Sequence, residues 1–412
     1  MQLCTWARNA RRTSWIWTSA APVALAAAIL GLLVRTSVVA APSAPDGPNP
    51  VTLGEKIFSD PSLSASGAMS CATCHDPKFA HAQNNDLSVQ LGGPNLDVPG
   101  FRAVPSLQYI GLVPTFSFAS DGTPTGGFNR DGRAPDLMVQ ALRPLFAAHE
   151  MANASPADLV VRLASTPYAN ELRQVFGDNI FDDEQATVLA VTFALAQYQR
   201  LDADFRPFNS KYDHFLAGRL RLEPAELRGL ALFNRADKGN CQGCHPSSRG
   251  PGGAPPMFTD FTYDNLGVPR NAQIPANLEA EYRDMGLCGP DRTDLTDRTD
   301  LCGAFKVPTL RNVATRKVFF HNGQFKTLRD ALRFYVRRDT NSEEFYPVDA
   351  NGEVQKFNDL PGDRTGNVNT AEVPYDRLPG ESPRLTDEEL DDLEAFLNTL
   401  TDGYVPALTA TR

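Results

Sequence analysis

Two short motifs of cysteine and histidine are the residues of this chain best suited to chemistry. Cys71-Ala72-Thr73-Cys74-His75 and Cys241-Gln242-Gly243-Cys244-His245 share one C-x-x-C-H spacing. Two thiols at this spacing can add to the two vinyl groups of one haem, and the adjacent histidine then reaches the iron from the proximal side. Seven cysteines and six histidines would give about 0.002 such motifs per chain by chance. The sequence therefore predicts two covalently attached c-type haems.

The alternative interpretation is a zinc ion bound by both cysteine pairs. Zinc ribbons usually separate their pairs by about 15–20 residues, whereas 166 residues lie between Cys74 and Cys241. Haem attachment is favoured over zinc, and over a disulfide within each pair.

The N-terminus has the pattern of an export signal. Three arginines precede an apolar run from residue 15 to residue 34, and small residues follow at 39–41. This order predicts a secretory signal peptide over residues 1–41, although the length of the run leaves an uncleaved membrane anchor open. Both alternatives place residues 42–412 in the periplasm. In that oxidising compartment Cys288 and Cys302 are expected to form a disulfide.

Composition limits the remaining function classes. The net charge of −10 disfavours nucleic acid as a partner, and 42% apolar residues argue against a disordered chain. With 30 Gly and 32 Pro, long loops are expected rather than long strand ladders.

An internal repeat and several helix signals predict a mainly α fold. Gly54-x-x-Ile57-Phe58 precedes the first motif and Gly229-x-x-Leu232-Phe233 precedes the second, which predicts a short helix beside each haem. We therefore expect two cytochrome c-like haem domains, residues 42–210 and 211–412, with long Gly/Pro-rich loops. Further helices are predicted from their N-terminal capping residues at Ser155, Asp182/Asp183, Thr327 and Thr386. In the second of these, we expect Leu189, Phe193 and Ala196 to share one face.

Few residues are available as further iron ligands. An electron-carrying cytochrome fills both axial positions with strong ligands, whereas a peroxidase leaves one open. Outside the motifs the chain has only four histidines, His81, His149, His214 and His321, and five methionines after the leader. Tyr335 lies at helical spacing from Leu328 and Leu332, so it could pack in the core or bind iron.

The chain resembles the bacterial di-haem cytochrome c peroxidases, especially the MauG-like branch, from about Leu53 to Leu400. The resemblance rests on both C-x-x-C-H motifs and on three blocks between and after them, namely Asp131-Gly132-Arg133-Ala134, Phe305-Lys306-Val307-Pro308-Thr309-Leu310-Arg311-Asn312 and His321-Asn322-Gly323.

The resemblance implies that hydrogen peroxide is reduced at the N-terminal haem, with electrons arriving through the C-terminal haem. His75 would then be the proximal ligand of the peroxidatic haem, and His245 that of the second haem. Gln140, Pro144 and Glu150 fall where the family lines its peroxide pocket. A glutamate there can take a proton from peroxide and return it to the leaving oxygen.

Tyr335 stands where the peroxidases have a methionine ligand and the MauG branch has a tyrosine. The resemblance therefore implies that Tyr335 is the distal ligand of the second haem iron. A tyrosine ligand would lower the potential of that haem and disfavour the ordinary electron-transfer role.

Several residues depart from the family pattern. The loop that often blocks the peroxidatic iron offers only His81, interpreted as structural or pocket-lining. Arg130 replaces the tryptophan that stands between the haems. In the family a calcium ion often lies between the haems as well. In this chain the asparagine that binds the calcium is replaced near Ala103, and the segment that reads Thr-Ala-Pro in the family is Arg316-Lys317-Val318. Backbone carbonyls could still bind calcium, although the cationic side chains repel it.

Three functions remain. The favoured one is an exported peroxidase that receives electrons from a small cytochrome c or cupredoxin. The second is a MauG-like oxidase that uses peroxide to modify a partner protein. The third, a non-enzymatic electron carrier, is disfavoured by the scarcity of His and Met.

Overall fold

A computed structural model describes residues 47–406 of the chain, so the predicted signal segment at 1–41 lies outside the described residues. The α-helices of this part are α1 (Pro50–Ser59), α2 (Cys71–Cys74), α3 (Leu137–Phe146), α4 (Pro156–Ala164), α5 (Ala169–Phe176), α6 (Glu184–Leu201), α7 (Lys211–Leu216), α8 (Pro224–Asn234), α9 (Leu328–Arg337) and α10 (Asp387–Asn398).

Strands in this part of the chain are two residues long and form three antiparallel pairs. They are β1 (Leu91–Gly92) with β2 (Val98–Pro99), β3 (Ser117–Phe118) with β4 (Pro124–Thr125), and β5 (Tyr263–Asp264) with β6 (Phe305–Lys306). In the last pair Tyr263 stands opposite Lys306. The helix-rich fold with few strands agrees with the predicted mainly α class.

The predicted helix starts are confirmed by their capping hydrogen bonds. Asp183 accepts from two backbone amides at the start of α6, and Ser155 and Thr327 each cap one helix, α4 and α9. Thr386 and Glu389 form a reciprocal capping box at α10. Each side chain satisfies an amide that the helix leaves without a partner.

The expected face of α6 is wrong as a packing face. Leu189 is 58% exposed and Phe193 36% exposed, and of the three only Ala196 is buried. The buried side of α6 carries Val191 and Ala194 instead. Because α6 has apolar residues around most of its circumference, its neighbours decide which face is buried.

Two hydrophobic cores form around two matching helix crossings. In the first core α1 packs on α6, and in the second α8 packs on α10. The repeated glycines lie at these crossings. A β-carbon on Gly54 would come within 2.6 Å of the Tyr198 Cβ, and one on Gly229 within 2.7 Å of the Phe396 Cβ. The repeat thus marks a point where the two helices of each pair pack closely.

The first core draws on residues between Leu53 and Phe205, and the second on residues between Tyr212 and Leu400. The described residues from Pro48 onward nevertheless form one compact unit. The division into haem domains 42–210 and 211–412 stays a prediction.

The loop before β6 is closed by a disulfide. Cys288 and Cys302 are bonded, with their Cα atoms 4.9 Å apart, as predicted. Among the described residues, no helix is both long enough and apolar enough to cross a membrane.

Candidate haem-binding site

The first C-x-x-C-H motif lies on a single helical turn. Cys71 and Cys74 bound helix α2, which begins after a capping box of Ser70 and Thr73. Both thiols are free and partly buried. Burial raises the pKa of each thiol to about 12, and the nearby charge of Glu150 adds to this shift. The turn therefore presents two protonated thiols side by side.

His75 follows α2 directly, and its ring is held by the backbone. The Nδ1 atom lies 3.1 Å from the carbonyl oxygen of His81. Since a carbonyl only accepts, Nδ1 carries the proton and Nε2 keeps its lone pair for a metal. Burial lowers the pKa of His75, which favours this neutral, metal-binding form.

His81 lies beside His75, which its backbone carbonyl contacts. Its ring stacks on Phe205 with ring centres 4.0 Å apart, and neither ring nitrogen has a hydrogen-bond partner among the described residues. Burial lowers its pKa to about 4. The His81 carbonyl therefore helps to orient the His75 ring, while the His81 ring packs on Phe205.

The second motif repeats this geometry with a different local fold. Cys241–Gly243 form a 3-10 turn, and Cys241 and Cys244 are partly buried and outside any disulfide. His245 is buried, and its Nδ1 lies 2.7 Å from the carbonyl oxygen of Phe258. This contact again puts the proton on Nδ1 and the lone pair on Nε2. Burial lowers the pKa of His245.

The four motif cysteines do not assemble into one metal site. No group of three or more His, Cys, Asp or Glu within residues 47–406 is arranged to hold a metal ion. The residues instead fit two separate c-type haems, because each motif has two thiols outside any disulfide and one histidine in the tautomer that binds iron.

The predicted peroxide-pocket residues come from α3 and the turn that follows it. Gln140 and Pro144 lie four residues apart in α3 and so share a face. Proline has no amide hydrogen, so the Gln140 carbonyl lacks its usual donor from within the helix. Both side chains are partly buried.

Glu150 is held by backbone contacts on both sides. Its amide donates to the Ala147 carbonyl at 2.9 Å, and its carbonyl accepts from the Gly93 amide at 2.9 Å. The carboxylate is 38% exposed and lies 3.4 Å from the His149 Nε2. Its charge acts on both thiols of the first motif, so a proton-accepting group lies near the first site.

Tyr335 lies beside the second motif. It is partly buried on α9, and its ring centre is 5.6 Å from that of Phe320 and 6.0 Å from that of Tyr375. Burial raises the pKa of Tyr335, with the Cys244 thiol the next largest influence. Tyr375 is buried near the same thiol, and no sequence signal had pointed to it.

A network of buried charges, also missed from the sequence, surrounds the Asp-Gly-Arg block. Asp131 is fully buried and accepts from Arg102 at 2.6 Å and from Arg133 at 2.7 Å. Arg102 also binds both carboxylate oxygens of Asp284, at 2.6 and 2.7 Å. Arg130 points elsewhere, with its Nε 3.0 Å from the Ala103 carbonyl.

Comparison with known proteins identifies the family to which this chain belongs. Over 397 residues the chain is 34% identical to the methylamine utilization protein MauG of Paracoccus denitrificans, covering 93% of this chain and 96% of that protein. A sequence profile described as di-haem cytochrome c peroxidase matches residues 48–221. The chain belongs to the di-haem cytochrome c peroxidase family. It is a MauG-like member of that family and a di-haem peroxidase oxidoreductase.

Two further relatives support this assignment to the di-haem peroxidases. Cytochrome c551 peroxidase of Nitrosomonas europaea is 28% identical over 311 residues, covering 73% of this chain and 78% of its own. The crystal structure of the diheme peroxidase BthA from Burkholderia thailandensis is 39% identical, with a TM-score of 0.78 and 86% of each chain covered. The relatives thus include a MauG as well as peroxidases.

Proposed function

We propose that this protein is an exported, periplasmic peroxidase that reduces hydrogen peroxide to water at the site of the first motif. Electrons would arrive through the site of the second motif from a small cytochrome c or cupredoxin. Each peroxide takes up two electrons and two protons, and two waters leave. The observation that carries the proposal is the position of Glu150 beside the first motif, on a turn held from both sides by the backbone.

The proposal assigns a cofactor to each motif. Cys71 and Cys74 would each form a thioether to one haem, and Cys241 and Cys244 would do the same for the other. When bound, the two haems supply the iron that reduces peroxide and the path by which electrons reach it. His75 and His245 would bind the irons through Nε2, oriented by their hydrogen bonds to backbone carbonyls.

The chain's own groups would manage the protons. Glu150 would accept a proton from the bound peroxide and return it to the oxygen that leaves as water. Its partly exposed carboxylate can exchange protons with solvent between turnovers. Gln140 would orient the peroxide through its side-chain amide, and Pro144 would shape the face of α3 beside it. His81, whose ring stacks on Phe205, would not bind the first iron, so the position opposite His75 would stay open for peroxide.

A second candidate is a MauG-like oxidase that uses peroxide to modify a partner protein. The observation that favours it is Tyr335, which lies beside the second motif where it would bind the second iron as its distal ligand. All three tryptophans lie in the first 17 residues, so a route for oxidation through the described part of the chain would have to use tyrosines.

Spectroscopy of the purified, full-length holoprotein tests the peroxidase. A high-spin ferric signal that changes on addition of peroxide, with turnover only when a reduced small cytochrome or cupredoxin is supplied, is the expected result. Turnover of a partner protein without such a donor would favour the oxidase. A purely low-spin protein that ignores peroxide would contradict both.

The role of Glu150 is tested by Glu150→Gln with Glu171→Gln as the matched control. Glu171→Gln is the same isosteric change in the same half of the chain, and the Glu171 side chain pairs with Lys56 among the described residues. General acid–base catalysis contributes about 10²–10⁴-fold, so Glu150→Gln should slow the reaction with peroxide by that factor. Equal rates in the two variants would show that Glu150 is not the proton acceptor.

A further inference from the structure

Three cationic side chains lie close together with no carboxylate bound to them. We call Arg130, Lys306 and Arg316 the central cations. Each donates to a backbone carbonyl: Arg130 Nε to Ala103 at 3.0 Å, Arg316 Nη2 to Val104 at 2.8 Å, and the Lys306 ammonium to Gly127. None of the three forms an ion pair within residues 47–406.

The three central cations are buried from water as well as lacking an ion-pair partner among the described residues. Burial lowers the pKa of Arg130 to about 9, of Arg316 to about 10 and of Lys306 to about 8. The mutual repulsion of the two arginines adds to the shift of Arg130. Arg316 also keeps one buried nitrogen, Nη1, with no hydrogen-bond partner among the described residues.

Neighbouring carboxylates offset these charges only in part, since Asp131 acts on Lys306 and Asp284 on Arg130 while both are bound to other arginines. Asp131 binds Arg102 and Arg133, and both oxygens of Asp284 bind Arg102. A desolvated cation without a partner is costly, and proteins satisfy such groups with an anion. The central cations therefore indicate that an anionic ligand completes this region.

The position of Arg316 shows where that anion belongs. Its charge acts on His75, so it lies near the first motif. Haem carries two propionate carboxylates, and a guanidinium with a free nitrogen is suited to bind one. The carbonyls of Ala103 and Val104, at the position where the family's calcium asparagine is replaced, already accept from the arginines.

We propose that Arg130 and Arg316, with Lys306 beside them, bind the propionates of the N-terminal haem and stand in place of a calcium ion between the two haems. This inference rests on the proposed function, which supplies the haem. Fixed positive charge beside a haem stabilises its reduced form. The arginines thereby hold the potential of the first haem above the value it would have without them.

Spectroelectrochemical titration of the holoprotein tests the effect of charge. Arg316→Gln should shift the ferric–ferrous equilibrium of the N-terminal haem at least tenfold toward the ferric form, which is about 59 mV for one electron. Arg316→Lys keeps the charge and should stay within threefold of the parent. Arg298→Gln removes an exposed arginine bound to Asp300 and should change nothing.

Several outcomes would overturn the inference. One is an Arg316→Gln potential within threefold of the parent; another is an equal shift in Arg316→Lys, which would point to packing instead of charge. If Arg316→Gln yields no holoprotein, Arg130→Gln replaces it with the same expected direction and the same threefold limit.

Metal analysis tests the second part without any variant. The parent holoprotein should contain well under one calcium per chain, and a calcium chelator should leave its haem spectrum unchanged. Stoichiometric calcium whose removal alters the spectrum would refute the replacement. Absence of covalently bound haem in the denatured protein would instead refute the proposed function, so the two failures are distinguishable.

Discussion

Asp131→Asn removes the charge at the centre of the buried network. The Asp131 side chain is 0% exposed, and its Oδ2 accepts from Arg102 at 2.6 Å and from Arg133 at 2.7 Å. Its backbone carbonyl also accepts from Arg292 at 2.8 Å. Asparagine keeps the size of the side chain but leaves two guanidiniums facing a neutral group.

The expected loss of unfolding free energy depends on which ion pairs Arg102 and Arg133 keep in the variant. Removing one partner of a buried ion pair costs about 3–5 kcal/mol. Arg102 keeps its two-point pair with Asp284, and Arg133 keeps Asp291 at 3.4 Å. These remaining partners place the expected loss of unfolding free energy near the lower end, about 3 kcal/mol.

Denaturant unfolding, followed by circular dichroism and by haem absorbance, measures this loss. Asp300→Asn is the matched control, because Asp300 pairs with Arg298 at the surface, with both side chains more than 40% exposed. Exposed pairs contribute about 0–1 kcal/mol. Adding Arg133→Gln to Asp131→Asn should recover part of the loss by removing a buried cation that has lost its closest carboxylate. A loss no larger than that of the control would refute the assigned role of this network.

Three other changes have defined outcomes. Tyr335→Phe removes the phenol oxygen and should alter the ferric spectrum of the C-terminal haem, whereas Tyr346→Phe should not; identical spectra would exclude Tyr335 as a ligand. His81 has a folded pKa of about 4, below its ordinary 6.5, so its contribution to stability is present above pH 6.5 and lost as the pH falls toward 4. Unfolding measured from pH 6.5 to 5 should therefore show about 2 kcal/mol less acid loss in His81→Phe than in the parent; parallel curves would argue against a buried neutral imidazole. Gly229→Ala should cost about 1–3 kcal/mol in a thermal melt through overpacking, while Gly366→Ala, with open space around it, should change stability little; equal melts would contradict the close crossing.

Local signals predicted local structure well. The capping residues of α4, α6, α9 and α10 act through atoms within a few positions along the chain, so a short stretch of sequence contains all the information. The disulfide between Cys288 and Cys302 followed from counting the cysteines left over in an oxidising compartment.

The burial of α6 could not be predicted in the same way. Its buried residues include small ones such as Ala190 and Ala194, while the larger Leu189 stays exposed. The close approach of α1 at Gly54, where an added β-carbon would meet Ala194 and Tyr198, selects the small side chains. That selection depends on a partner helix more than a hundred residues away, which periodicity within α6 does not contain.

The candidate site also has a part that local sequence predicts and a part that depends on distant contacts. The motifs and Glu150 could be found from spacing and resemblance, but the backbone carbonyls that orient His75 and His245 come from loops that have no such pattern. The charge network depends still more on distant contacts, since Arg102 reaches Asp131 across 29 positions and Asp284 across 182. No local rule pairs residues at those separations.

Arg130 shows how the two kinds of information combine. In the sequence it marks only a missing tryptophan, and therefore a lost route for electrons between the haems. In the structure Arg130 is one of three desolvated cations whose neighbouring carboxylates are already bound to other arginines. A buried charge of this kind persists only where a partner offsets its desolvation. In the proposed site, the residue that stands in place of the family's tryptophan would also place positive charge beside the first haem, so both effects of Arg130 would bear on the same electron-transfer step.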